Sequence, residues 1–480
     1  MKSCVLLLAA LMIIPFQPGY GDQGCFLVVA GKAATADGSV LLGHNEDNGI
    51  DKLARLRSVE RKVHSRGETL KLAGGASIPQ ADTTFGYLIL EMPGLAYSHG
   101  LLNEYGVAVV SNNCPSREDL GELTEGGIGP DLRFLVAERA RTAREGVKLV
   151  GFLIKSYGYV ASGRTLTIGD PQEAWQVAMV HGKLWVARRV PDDEVAVLAN
   201  SYAIHEVALE DTLNYLGSPE IKAYATQRGW YTPLRGAFDF ERAYARQDLL
   251  TDPNQRCRQW SGFNRVAASP LPLPDTGIAL PFSVKPKKKL TPADLFGVLR
   301  DHYEDTPYSR GTLPPHGPPP PGGAATICNG ATNHGDVFQL RDGLPVEIGA
   351  LWWIALWRPC ASPFLPLYYG ISEVPEPLDF AVDPAVFSAP DKGVLPGPEK
   401  ALRVFHDLTL QVDGSYYQRI GKVRQEWAGF DSWSLLLQPS LERLALESWK
   451  KDRPLAVELL DRYCAGTLTR ALELARELEK

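Results

Sequence analysis

After residues 5–16 the chain has no uninterrupted apolar run approaching the ~18 residues that a membrane-spanning helix needs. It also lacks an excess of positive charge. The formal net charge is -6, and no basic face is apparent, which argues against nucleic acid as a partner. The basic run Lys285-Pro286-Lys287-Lys288-Lys289 lies between prolines and reads as a solvated linker. Cysteine is sparse. Of seven, Cys4 directly precedes the first apolar stretch, and Cys25, Cys114, Cys257, Cys328, Cys360 and Cys464 are scattered without short-range pairing. Neither they nor the nine histidines show metal-ligand spacing, so no metal and no cofactor are expected. No dense disulfide framework is expected either, and with Cys25 kept free at least one further cysteine is unpaired. No internal repeat of fixed period is present.

What is present begins with a secretory leader. Lys2 precedes the apolar stretch, and Gly19-Tyr20-Gly21 offers small residues at the two positions a signal peptidase reads. Residues 1–21 are therefore expected to be removed, leaving a secreted (periplasmic or extracellular) protein with no membrane association. The remainder, 45% hydrophobic and 22% charged over a 480-residue chain, is ordinary globular composition. Residues 25–30 read as a strand. A turn at Ala36-Asp37-Gly38 and a second strand at 39–42 follow, with His44-Asn45-Glu46-Asp47 just beyond. Further strands are expected at 85–91, 107–112, 165–169, 174–180, 184–190, 195–199, 325–328, 336–340 and 350–356. Helices are expected over 130–157 and from about Leu436 to the end, and 311–323 is a Pro/Gly-rich loop.

A cysteine between an export leader and the first core strand has three readings. It is a buried or disulfide-bonded structural residue, a lipid anchor, or a nucleophile exposed by cleavage. Asp22-Gln23-Gly24 fits a lipoprotein signal poorly. The nucleophile reading has a physical attraction. An α-amino group titrates at about 8, so on Cys25 it can serve as general base to its own thiol. Residues 22–24 would then be a short propeptide. Asp47 can hold the ammonium form, and the amides of Asn113 and Asn200 at strand ends suit an oxyanion hole. Turn formation explains the same residues equally well.

Taken in order, several segments resemble the dipeptidase A/secernin-type family of N-terminal-nucleophile cysteine peptidases, relatives of bile-salt hydrolases and penicillin V acylases. They are Cys25 opening a strand, Asp37-Gly38-Ser39, Asn45-Glu46-Asp47, Asn103-Glu104-Tyr105-Gly106-Val107-Ala108, Glu138-Arg139-Ala140-Arg141, Arg189-Val190-Pro191-Asp192-Asp193, Asn200, Arg300-Asp301-His302-Tyr303-Glu304-Asp305, and Leu344-Pro345-Val346-Glu347-Ile348-Gly349. The resemblance implies an α+β fold, a four-layer αββα sandwich over 25–400, with a mostly helical part, 401–480, packed on it. It also implies self-processing and cleavage of dipeptides. By position, Cys25, Asp47, Asn113 and Asn200 are the catalytic set, and His44 and Arg258 are substrate-binding, with Arg256 fitting nearly as well as Arg258. His44 stands where the wider superfamily has arginine. The expected partner is a dipeptide, and a homo-oligomer is compatible with the sequence. Two other readings remain. One is a same-fold acylase acting on N-acyl amides or lactones, for which Trp352, Trp353, Trp357, Tyr368 and Tyr369 would line an apolar pocket. The other is a non-catalytic secreted binding protein.

Overall fold

In the computed structural model, residues 24–49, 52–124, 126–276, 278–319 and 323–480 are described. The expected leader, and Asp22 and Gln23 of the expected propeptide, lie outside them. The chain opens with β1 (Phe26–Ala30), five buried apolar residues of which Phe26, Val28 and Val29 are aromatic or β-branched. Each large apolar side chain among them contributes about 1.5–3 kcal/mol by leaving water. The turn that follows is made by Asp37, whose Oδ1 accepts from the Ser39 amide at 3.2 Å and hydroxyl at 2.6 Å. Gly38 there adopts φ 78°, which a side chain would disfavour. The hairpin closes with β2 (Val40–Asp47) in antiparallel register, Leu27 opposite His44.

The chain continues through β3 (Arg55–Val59), β4 (Tyr87–Glu91), β5 (Gly100–Asn103) and β6 (Ala108–Asn113). Next come α1 (Leu132–Arg139), α2 (Ala143–Tyr157), β7 (Tyr159–Gly169), β8 (Ala174–Gly182), β9 (Trp185–Arg189), β10 (Val195–Leu198) and β11 (Tyr215–Gly217). The second half supplies α3 (Pro253–Val266), β12 (Ser283–Val284), α4 (Pro292–Leu299), β13 (Thr332–Leu340), β14 (Ala350–Leu356) and β15 (Leu365–Tyr368). It ends in α5 (Ala401–Gly414), α6 (Tyr416–Trp449) and α7 (Arg453–Leu478).

Two large sheets result, of order β12-β10-β1-β2-β13-β14-β15 and β11-β9-β8-β7-β6-β5-β4-β3. They face one another. The space beside Gly169 of β7 is closed by Leu340, Leu42 and Val40 of the other sheet. Helices α1 and α2 cover the outer face of the second sheet through Leu135, Val147, Val150 and Ile154. Helices α3 and α4 cover the first, with Gly262 against Phe26 and Val197, and Leu295 and Leu299 over Gly43. The expected αββα layering is therefore observed.

Three local expectations change. The strand β2 does not stop at residue 42 but runs through His44 to Asp47, because β13 pairs with it to that end, Thr332 opposite Asp47 and His334 opposite Glu46. Residues 325–328, expected as a strand, are irregular. Their polar backbone is satisfied elsewhere, the Ala325 amide by Asn254 Oδ1 at 2.8 Å and the Cys328 amide by the Asp301 carbonyl at 3.2 Å. The terminal helices begin well before Leu436, at Ala401 and Tyr416. Their early turns carry aromatic residues whose helical state comes from burial, as Trp427 Nε1 donating to the Ala361 carbonyl at 2.9 Å illustrates.

Candidate active site

Cys25 sits immediately before β1, so the strand fixes where its side chain points. It is 7% exposed, and its Sγ lies 3.2 Å from Glu46 Oε1, toward which it donates. Burial pushes the Cys25 thiol well above its ordinary range, and the charges of Glu46 and Asp47 push it the same way. Glu46 also accepts from Asn48 Nδ2 at 2.5 Å, and the same amide donates to Ser98 Oγ at 2.8 Å.

Asp47 is held on both carboxylate oxygens. Asn329 Nδ2 donates to one at 2.7 Å and Thr332 Oγ1 to the other at 2.7 Å. Burial raises its pKa from 3.8 to about 7, against the opposing pull of the Arg258 guanidinium 3.9 Å away. Arg258 arrives on α3, which starts with the Asp252 side chain accepting from the Asn254 amide and with Pro253 in the first turn. One turn along, Gln255 and Arg258 share a face, and Arg258 donates to Gln255 Oε1 at 3.0 Å. The close approach of Gly262 to Phe26 lets this helix sit tightly over the start of β1.

Arg258 then reaches three groups around Cys25. It donates to the Gly24 carbonyl, to the Cys25 carbonyl at 3.4 Å, and to Asn200 Oδ1 at 2.9 Å. Asn200 is also fixed through its backbone amide on Gln255 Oε1 at 2.7 Å and its Nδ2 on the Asn113 carbonyl at 2.9 Å. Gly24 leaves no room for a side chain, since a Cβ there would lie 2.3 Å from Asn200 Oδ1. A cavity of about 670 Å³ opens over this group, lined among others by Cys25, Glu46, Asp47, Asn113, Arg164 and Asn200. Such a volume suits a small ligand.

Of the sequence-derived candidates, Cys25, Asp47, Asn113 and Asn200 all line this cavity, and Asn113 is exposed at its edge. His44 and Arg258 do not. His44 is 1% exposed, and burial, with the cations of His334 and Arg133 nearby, lowers its pKa to about 3. One of its ring nitrogens lies within 4.8 Å of both Cys25 Sγ and a Glu46 oxygen. It packs behind the thiol and not on the cavity surface where a substrate contact was expected. Arg258 is likewise fully buried and touches the cavity wall rather than the cavity. Of the two arginines, Arg258 is the one placed beside Cys25 and Asp47. Arg256 turns away and donates to the Pro274 carbonyl at 3.0 Å and to the Ile278 carbonyl.

The sequence alone does not single out Glu46, Asn329, Thr332, Gln255 or Arg164. Glu46 stands within a stretch that also reads as a polar turn, and the others lie far away in the chain. Arg164 stacks its guanidinium 4.2 Å from the centre of the Tyr97 ring and donates to Tyr159 Oη at 3.1 Å and Ser111 Oγ at 3.0 Å. It is a positive group that the cavity reaches, with Glu46 and Asp47 as its negative counterparts.

The site thus holds a buried thiol just before a strand, beside a carboxylate and an aspartate–arginine pair. The family model described as Peptidase family C69 matches residues 24–388, beginning one residue before that thiol. The chain belongs to Peptidase family C69. Relatives in Salmonella dublin and Latilactobacillus sakei, each named "Probable dipeptidase", are 27% identical to it. The first alignment covers 72% of this chain and 81% of the relative, and the second 74% and 76%. A "Probable dipeptidase B" of Streptococcus pyogenes serotype M1 is also 27% identical, over 74% of each chain. Among solved structures, a mutant conjugated bile acid hydrolase from Clostridium perfringens is 16% identical, with a TM-score of 0.24, over 43% of this chain and 58% of that one. The C69 match stops short of α5–α7, which form the C-terminal part of the molecule.

Proposed function

We propose that this C69 peptidase is an exported dipeptidase whose nucleophile is the Cys25 thiol, made N-terminal by removal of the residues before it. The observation that carries the reading is the Cys25–Glu46–Asp47–Arg258 group beneath a cavity sized for a small peptide. The names of the relatives support the dipeptide as substrate.

Processing uses the groups around Gly24. The Cys25 thiol passes its proton to Glu46 and attacks the Gly24 carbonyl carbon, whose oxygen Arg258 holds. The Gly24–Cys25 amide bond breaks as the thioester forms, and the amine takes the proton back. Water then hydrolyses the thioester, freeing both thiol and amine. Gly24→Ala, which drives a Cβ into Asn200, is expected to leave uncleaved chain, visible by intact mass, where wild type is fully processed.

In the mature enzyme the α-amine lies beside Asp47 and takes the thiol proton. The thiolate attacks the dipeptide carbonyl, and amide N–H groups of Asn113 and Asn200 face the developing oxyanion. The amine returns the proton to the leaving amino group, and water completes hydrolysis of the acyl-enzyme. Arg164 supplies the positive charge for the substrate's terminal carboxylate. Arg164→Met should therefore raise KM at least about tenfold for a dipeptide, the effect of losing one charge-assisted contact. The corresponding dipeptide amide should change little, a comparison that cancels any general loss of folded enzyme.

The decisive experiment joins the N-terminal residue of the mature protein to release of free amino acids from dipeptides. A mature chain starting at Cys25 that hydrolyses dipeptides supports the reading, and an active chain that keeps Asp22 defeats the mechanism. The aromatic residues that would favour an acyl-chain pocket are in the core instead. Trp352, Trp353 and Trp357 donate from buried positions to Asp336 Oδ1, Gln339 Oε1 and the Leu402 carbonyl.

A further inference from the structure

Away from the cavity, four side chains remote from one another in sequence converge. They are His302 after α4, His316 in the Pro/Gly-rich loop, Cys328 in the irregular segment before β13, and Cys360 in the turn between β14 and β15. One donor atom from each lies within 4.8 Å of all the others. The two Nε2 atoms are 3.2 Å apart, and Cys360 Sγ is 3.3 Å from His316 Nε2. A tetrahedral zinc site with Zn–N near 2.0–2.1 Å and Zn–S near 2.3 Å has donor–donor edges of about 3.3–3.8 Å. The observed separations lie at or just below the short end of those edges, so binding needs only a small outward shift of the donors. Cys328, Cys360 and His302 are 0%, 1% and 4% exposed, so solvent does not explain the grouping.

The surroundings fit as well. A metal-bound imidazole usually gives its remote N–H to a carboxylate or hydroxyl. His316 Nδ1 lies 2.6 Å from Asp413 Oδ1, and Asp413 is itself paired with Arg358. His302 Nδ1 lies 2.9 Å from Tyr416 Oη and 3.4 Å from Glu304 Oε1. Arg424 donates to that nitrogen at 2.7 Å while bonding Glu304 Oε1 at 2.7 Å, so ligation through Nε2 requires Arg424 to release Nδ1 and keep Glu304.

We propose that His302, His316, Cys328 and Cys360 bind one zinc-type divalent ion in a closed, structural Cys₂His₂ site. On binding, each thiol releases its proton and the two imidazoles ligate as neutral rings through Nε2. The Nδ1 proton of His302 is then directed to Tyr416 or Glu304, and Arg424 keeps its bond to Glu304. Four protein ligands leave no open coordination position, so the ion's role is to hold parts together. It ties the Pro/Gly-rich loop and the turn after β14 to Asp413 and Tyr416 of the terminal helices. It also fixes the neighbour of Cys328, since Asn329 holds Asp47 and is itself held through its carbonyl by Arg358 at 3.3 Å. Short-range spacing in the sequence argues against a metal. That argument reaches only local motifs, and here the tertiary fold supplies the set.

The test uses the full-length chain purified without chelators, as wild type and as Cys25→Ala, under conditions that keep thiols reduced. Elemental analysis should find about one zinc per chain in both forms, which separates this site from Cys25, His44 and Glu46. After chelation, added Co²⁺ should give the intense visible bands of a tetrahedral ion and thiolate-to-cobalt charge-transfer absorption. Added Zn²⁺ should raise Tm. Cys360→Ser should weaken metal retention at least about tenfold, a figure at the low end of ligand-shell effects. Less than about a tenth of an equivalent after Zn²⁺ addition overturns the proposal. So does metal lost with Cys25→Ala, or a native chain whose mass and peptide map place a Cys328–Cys360 disulfide instead. None of these readouts depends on peptidase activity, so this proposal and the dipeptidase reading can fail separately.

Discussion

Cys25→Ala is expected to abolish dipeptide hydrolysis and to leave the chain uncleaved before residue 25. The loss should be at least about 10⁴-fold, since removing a nucleophile leaves only binding and oxyanion stabilisation. Both effects come from one atom. Sγ is the group that faces Glu46, and no other cysteine lines the cavity among the described residues. Cys25→Ser makes the comparison sharper. A hydroxyl in the same place retains the hydrogen bond to Glu46 but is a poorer nucleophile, so slow processing with little turnover is expected. Folding should be unaffected in either variant, because residue 25 lines the cavity and both replacements are no larger than cysteine. Intact mass and a free-amino-acid assay read the two effects independently. A Cys25→Ala chain that still processes and turns over would sink the mechanism.

Asp47→Asn should lower kcat/KM by about 10²–10⁴-fold, the usual span for loss of acid–base support. The substitution also presents an amide N–H to the Asn329 and Thr332 donors, or else leaves one of them unanswered, at a cost of about 1–3 kcal/mol. The pH dependence separates charge from shape. Folding raises the Asp47 carboxyl from 3.8 to about 7 while the chain before Cys25 is intact. A group whose pKa rises on folding binds protons more tightly in the native state. Its contribution to stability is therefore complete below about pH 4 and is withdrawn as pH climbs through about 7. In the Cys25→Ala background, which stays unprocessed, denaturant unfolding should show that decline. The doubly substituted chain with Asp47→Asn should lose this component of the slope. A slope unchanged by the substitution would mean that Asp47 does not titrate there.

The parts of the site legible in the sequence are those that one hairpin carries. Cys25 lies immediately before β1 and Asp47 at the end of β2, and the apolar runs and turn residues of that hairpin are local signals. Their juxtaposition needs only that the hairpin close. Glu46 belongs to the same stretch, yet its role is hidden because the local pattern ends β2 before it. The pairing that extends β2 comes from β13, Thr332 opposite Asp47, and no local signal foretells it. Asn329, 282 residues from Asp47, is invisible for the same reason. The choice between Arg256 and Arg258 is open only while their helix is unplaced. Two residues apart on a helix they point to nearly opposite sides, about 200° around the axis. Gln255, one turn before Arg258, marks the side that meets Cys25. The aromatic cluster misleads in the other direction. Three tryptophans within and just after one strand suggest a ligand pocket as readily as a core, and only their hydrogen bonds to Asp336, Gln339 and Leu402 settle the matter.

The strand that follows Cys25 is an interior one. β1 is paired on one side with β10, Leu27 opposite Leu198, and on the other with β2, Leu27 opposite His44. Chain termini ordinarily fray unless a sheet ties them down. A cut before Cys25 would therefore create an end that starts life already clamped between two neighbours. Its backbone amides from Leu27 to Ala30 should exchange with solvent only when the whole sheet opens. Heat inactivation should then coincide with global unfolding, with no earlier loss of activity from a loosened N-terminus.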